Sequence, residues 1–166
     1  ANLLPNDALA KLAQRNLEEV GGFRYTAEEK HFAEELQKSL PAGGAGELDS
    51  TTLIQPLRRP DANEAAASTD TGDVSWNVPT IGFRTATFVP GVVSHSWQAA
   101  ASSGMSIGQK AMIVAAKALA ATGADLFSDK QLVLDAKADF RRQLAGKIYQ
   151  SVIPAGQKPP LNYRNN

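Results

Sequence analysis

The stretch "SIGQKAMIVAAKALAATGADLF", residues 106–127, restricts the possible folds more than any other part of the chain. Ile107, Ala111, Val114, Ala115, Ala118, Thr122 and Leu126 recur along one face at helical spacing, which predicts an amphipathic helix. Many of its side chains are small, so the helix can approach a neighbouring layer closely, and the expected layer is a sheet. Its most continuous apolar part, residues 111–122, is interrupted by Lys117 and falls short of the about 20 apolar residues needed to span a bilayer. A soluble chain with no membrane partner is expected.

Upstream, Leu9, Leu12, Ala13, Leu17 and Val20 mark a helix over residues 6–20 that Gly21 and Gly22 terminate. Thr26 and Glu29 form a capping-box pair for a second helix, whose apolar stripe is Phe32, Ala33, Leu36 and Leu40, ending before Pro41. Residues 41–67 read as a long loop with one short strand at 51–54. Residues 80–89 are rich in β-branched and aromatic side chains between Pro79 and Pro90-Gly91, the signature of a strand. Ser128 and Gln131 suggest a further capping box, and Leu132, Ala136, Phe140 and Leu144 a last helix before Gly146. Residues 150–166 form a Pro-containing extended tail. Four helices with so few strands predict an α/β fold in which helices pack on a mixed sheet that this chain supplies only in part.

The chain's 166 residues fit one domain or a large part of one. Seventeen basic and seventeen acidic residues cancel, which leaves no field to gather phosphate backbone or anionic lipid, so nucleic acid is not an expected partner. The absence of cysteine excludes disulfides and thiolate metal sites and fits either cytosol or periplasm. The opening "ANLLPNDALA" has no initiator Met and no signal-peptide pattern, and is expected to follow a segment removed or omitted upstream.

Chemistry concentrates between residues 65 and 98. His95 follows a Pro-Gly turn at the end of the expected strand and precedes Trp97, in a position where α/β proteins place ligands. Ser68, Thr69, Asp70 and Asp73 carry two readings: turn and cap residues around Gly72, or hydroxyl and carboxylate groups offered to a substrate across the same strand from His95. Trp76 and Trp97 suit a core or a pocket wall. His31 lies on a helix rich in Glu and Lys and receives no chemical role. A serine nucleophile beside His95 is disfavoured, because no G-x-S-x-G elbow is present.

The blocks "NLLPN", "ASTDTGDVSWNVPT", "HSWQ" and "SIGQKAMIVAAKALAATGADLF" resemble the metal-dependent amidohydrolases of the aminoacylase and glutamate-carboxypeptidase superfamily, nearest the aminobenzoyl-glutamate hydrolase B subunit type. The resemblance implies that the chain is the C-terminal half of a zinc-peptidase-like catalytic domain, with the lid domain absent. It implies that His95 is the last protein ligand of a site for two divalent ions, zinc or manganese, and that Trp97 packs beside it. Ser68, Thr69, Asp70, Gly72 and Asp73 would line the substrate pocket. No catalytic residue would be on this chain, since the general-base glutamate and the other ligands come from the N-terminal half. Relatives often carry Thr-Pro before the histidine, where this chain has Val92-Val93-Ser94. The implied partners are that N-terminal half, a second copy joined through the lid domain, and a small-molecule amide of an N-acyl or aminobenzoyl amino acid. The alternative is a noncatalytic packing or regulatory module without metal.

Overall fold

A computed structural model describes residues 2–58, 69–151 and 153–161. Six helices follow one another: α1 (Asp7–Val20), α2 (Ala27–Gln37), α3 (Thr71–Ser75), α4 (Trp97–Gly104), α5 (Ser106–Ser128) and α6 (Lys130–Leu144), with one 3-10 turn at Leu48–Thr52 between α2 and α3. No strand is present among the described residues, so the expected α/β fold with helices on a mixed sheet is wrong for this chain.

The physical reason lies in residues 80–89. Their composition suits a pleated surface, but a strand exists only where a second segment offers a ladder of hydrogen bonds, and none among the described residues runs beside this one. The segment makes local bonds instead, such as Thr87 N–H to the Thr85 carbonyl at 2.8 Å. It is anchored at its end by Val89, whose N–H donates to Ser102 Oγ of α4 at 3.3 Å. The short strand expected at residues 51–54 is likewise replaced by the 3-10 turn, held where Phe23 N–H donates to the Thr51 carbonyl and Thr51 Oγ1 donates back to the Phe23 carbonyl.

Helices therefore pack on helices. α5 contacts α1, α4 and α6, and α1 also contacts α6. Small side chains on α5 serve these contacts: Gly108, Ala111 and Ala118 are buried, and a methyl group on Gly108 would run into the Ser103 backbone at the close α4–α5 junction. α1 presents Leu9, Leu12, Ala13 and Leu17. A second cluster joins Tyr25, Ala33 and Leu36 around α2 to Val89 and to Ile107 of α5.

Local cap chemistry explains most helix starts. Asn6 Oδ1 accepts from Leu9 N–H at 3.0 Å, and both bonds of the Thr26–Glu29 capping box are present. The box expected at Ser128 shifts by one residue: Ser128 ends α5, and Asp129 caps α6 through a 2.8 Å bond from Gln131 N–H. One cap arrives from far away. The Asp139 carboxylate of α6 is buried and accepts from the N–H groups of Asp7 at 2.5 Å and Ala8 at 3.1 Å, at the start of α1, while Arg142 pairs with it from outside.

By length and composition α5 is long and apolar enough to cross a membrane, because the helix extends well beyond the 111–122 run, to 23 residues. Only 17% of its apolar window is buried in this structure. Two of its polar residues are nonetheless committed to other parts of the molecule: Lys110 to Glu29, and Asp125 to Asn16 of α1.

Candidate functional site

The turn carrying His95 is built from three segments. Gln37 Nε2 at the end of α2 donates to the Gly46 carbonyl at 2.7 Å and to the Pro90 carbonyl at 2.9 Å. Gly91 has φ +93°, and a methyl group there would collide with the Gly44 carbonyl, so the turn requires glycine on both counts. Ser96 then starts α4, accepting from Ala99 N–H at 3.1 Å while its own hydroxyl donates to the Val93 carbonyl at 2.8 Å. His95 is squeezed between the turn and the cap and adopts φ +62°, a left-handed conformation uncommon for a residue with a Cβ. Its side chain is exposed. Such conformations cost energy and concentrate where a side chain must be aimed. Trp97, expected to pack beside it, is 63% exposed.

The second group of expected site residues lies around α3. Thr69 and Asp70 are exposed, Gly72 is buried, and Asp73 is partly buried. Ser68 lies outside the described residues. Thr69 acts as a turn former, with its Oγ1 accepting from Thr71 N–H at 3.3 Å. Ser75, fully buried, donates to the Gly72 carbonyl at 2.5 Å and accepts from Leu4 N–H at 2.8 Å. Trp76 Nε1 donates to the Asn2 carbonyl at 2.8 Å. The loop is thus fastened to the segment before α1. Asp73 is also bonded to Tyr149, whose hydroxyl is pushed up first by desolvation and then by that carboxylate.

These two groups were expected to meet at one edge of a sheet. Among the described residues no hydrogen bond or ion pair joins them, and they are anchored to different parts of the bundle. Neither do the described residues include any group of three or more His, Asp or Glu able to hold a metal ion. His95 offers one imidazole, and a hydrolytic metal ion takes three protein ligands. The donor set among the described residues does not by itself fit a two-ion centre.

One polar cluster was missed from the sequence. Glu29 is 3% exposed, and its carboxylate accepts from Ser106 Oγ at 2.5 Å, Lys110 Nζ at 2.6 Å and Thr26 N–H at 2.7 Å. Burial alone would raise this carboxyl, but the bonds from Lys110 and Ser106 outweigh it and hold the group below the usual carboxylate range. The capping box revealed Glu29, and Ser106 and Lys110 share one face of α5, yet nothing in the sequence joins the two helices.

The described residues form a helical assembly that presents one exposed histidine at a helix start. Against known proteins, the chain is 29% identical over 180 aligned positions to the B subunit of p-aminobenzoyl-glutamate hydrolase from Escherichia coli (strain K12). The match covers 96% of this chain but 37% of that protein, so the chain spans little more than a third of the relative's length. The resemblance to the aminobenzoyl-glutamate hydrolase B subunit type therefore stands on nearly the whole chain as well as on its motifs. No family model matches the chain. No solved structure matches it.

Proposed function

We propose that this chain is one part of a metal-dependent amidohydrolase that cleaves an amide bond of an N-acyl or aminobenzoyl amino acid. The observation that carries the proposal is the similarity to a hydrolase subunit along 96% of the chain. The chain contributes His95 as one ligand of a centre for two divalent ions, zinc or manganese, and residues 68–73 as a wall of the substrate pocket. The remaining ligands and the proton-moving glutamate come from polypeptide outside this chain, which is its first partner; assembly into an oligomer through a lid-like domain belongs to the same proposal. The left-handed backbone of His95, held by Gly91 on one side and the Ser96 cap on the other, supports a role in which the imidazole is presented outward. A packing module in which His95 only bonds a carbonyl draws no support from that exposed side chain.

The experiment replaces His95 in the assembled hydrolase. His95→Ala removes one imidazole from the surface and leaves no core cavity, so circular dichroism and melting should match wild type. Metal content per active site should fall by about one ion, with amide hydrolysis lost, because the remaining ligands can still retain the other ion. His31→Ala, also exposed, should change neither. Two metals and full activity in His95→Ala would overturn the assignment.

A further inference from the structure

We propose that a groove of about 510 Å³, separate from the histidine turn and the α3 loop, binds a small organic carboxylate with an aromatic or branched apolar body. The groove lies between α1, residues 50–58 and residues 83–86, and Val114 of α5 contributes to its wall. None of its lining residues belongs to the proposed hydrolytic site, so the inference does not rest on that reading. The volume falls within the about 300–1,000 Å³ typical of small-molecule sites.

Three observations define the occupant. The interior is apolar, formed by Leu17, Phe23, Phe83 and Val114. Among the described residues the lining contains no carboxylate and two guanidinium groups, that of Arg58, which has a partner of its own, and that of Arg84. Arg84 is exposed and forms no ion pair with any described residue. A planar guanidinium matches a carboxylate through two parallel hydrogen bonds, and the neighbouring aromatic rings suit the apolar remainder of such an acid better than a bare inorganic anion. The walls are also fixed beforehand: Gln14 Nε2 of α1 donates to the Gln55 carbonyl at 3.0 Å, and Phe23 is tied to Thr51 by a reciprocal pair of bonds. A ligand entering the groove therefore orders little additional chain.

The test is calorimetric titration of the purified full chain with 4-phenylbutyrate, its primary amide and inorganic phosphate as probes. The acid should bind saturably, the amide roughly fivefold or more weaker, and phosphate should not compete, since the discrimination comes from one solvent-accessible charge-assisted contact. Arg84→Gln should weaken the acid by a similar factor and abolish the preference over the amide, Arg84→Lys should retain part of it, and Phe83→Ala should weaken acid and amide alike. His95→Ala should leave binding unchanged, which separates this site from the hydrolytic one. Equal binding of acid and amide, displacement by phosphate, an unchanged affinity in Arg84→Gln, loss in His95→Ala, or no saturable binding of the acid would each overturn the proposal.

Discussion

Tyr25 is buried against Phe23, with ring centroids 5.9 Å apart, and its hydroxyl finds no hydrogen-bond partner among the described residues. Burial, and then the nearby Glu29 carboxylate, push its ionisation up to about 12. An unmade bond at a buried hydroxyl costs free energy, so Tyr25→Phe should keep stability or raise it by up to about 1 kcal/mol near neutral pH, read from denaturant midpoints. A raised folded-state value means that the stabilising difference is complete below the ordinary tyrosine range near pH 10 and is lost as pH climbs towards 12. The wild type should therefore weaken between those limits, and Tyr25→Phe should weaken less. A clear loss of stability in the variant at pH 7 would show that the hydroxyl has a partner.

Between α2 and α5, Glu29, Ser106 and Lys110 form a junction whose strength can be measured. Glu29→Gln removes a buried charge partner of Lys110 and should cost about 2–3 kcal/mol, whereas Glu35→Gln, which breaks an exposed pair with Lys38, should leave the denaturation midpoint close to wild type. Because the Glu29 carboxyl is held low in the folded state, its contribution is complete above the ordinary glutamate range near pH 4.3 and is lost as pH falls through the lower folded value. Acid melts of wild type and Glu29→Gln should converge below pH 4 and run parallel from about pH 5 to 7. Sequence revealed each half of this junction but not their meeting, and the same limit applies elsewhere. Asn6, Thr26 and Glu29 announce helix starts because a cap is chemistry within a few residues. Residues 80–89 misled because β-branched and aromatic side chains report fitness for a sheet, not the existence of a pairing partner. α3 and α4 are too short to show periodicity, and the Ser96 cap of α4 emerged only in the structure. The placement of His95 after a turn was legible; its supposed meeting with the 68–73 loop depended on a sheet that the described residues do not form.

Over the whole chain, the described residues contain a folded helical assembly but no complete hydrolytic constellation. Purified alone and supplied with zinc or manganese, the chain should not cleave aminobenzoyl-glutamate faster than the metal ion does without it, since one candidate imidazole cannot hold and orient a reactive centre. Turnover well above that background would mean that residues elsewhere on this chain complete the site. α5 leaves Met112, Ile113, Leu119 and Phe127 more than 45% exposed, while its opposite face is secured to α1 and α6. That security comes late in the life of the molecule. Asp139 caps α1 across 132 positions of chain, and Asn6 Nδ2 reaches the Ala136 carbonyl across 130. A ribosome adding about 5–20 residues per second leaves the first helix without its clasp for on the order of ten seconds. During that interval Leu9, Leu12 and Leu17 have no final berth, so α1 is locked only once α6 has been made, and any slowing of translation between the two lengthens its wait.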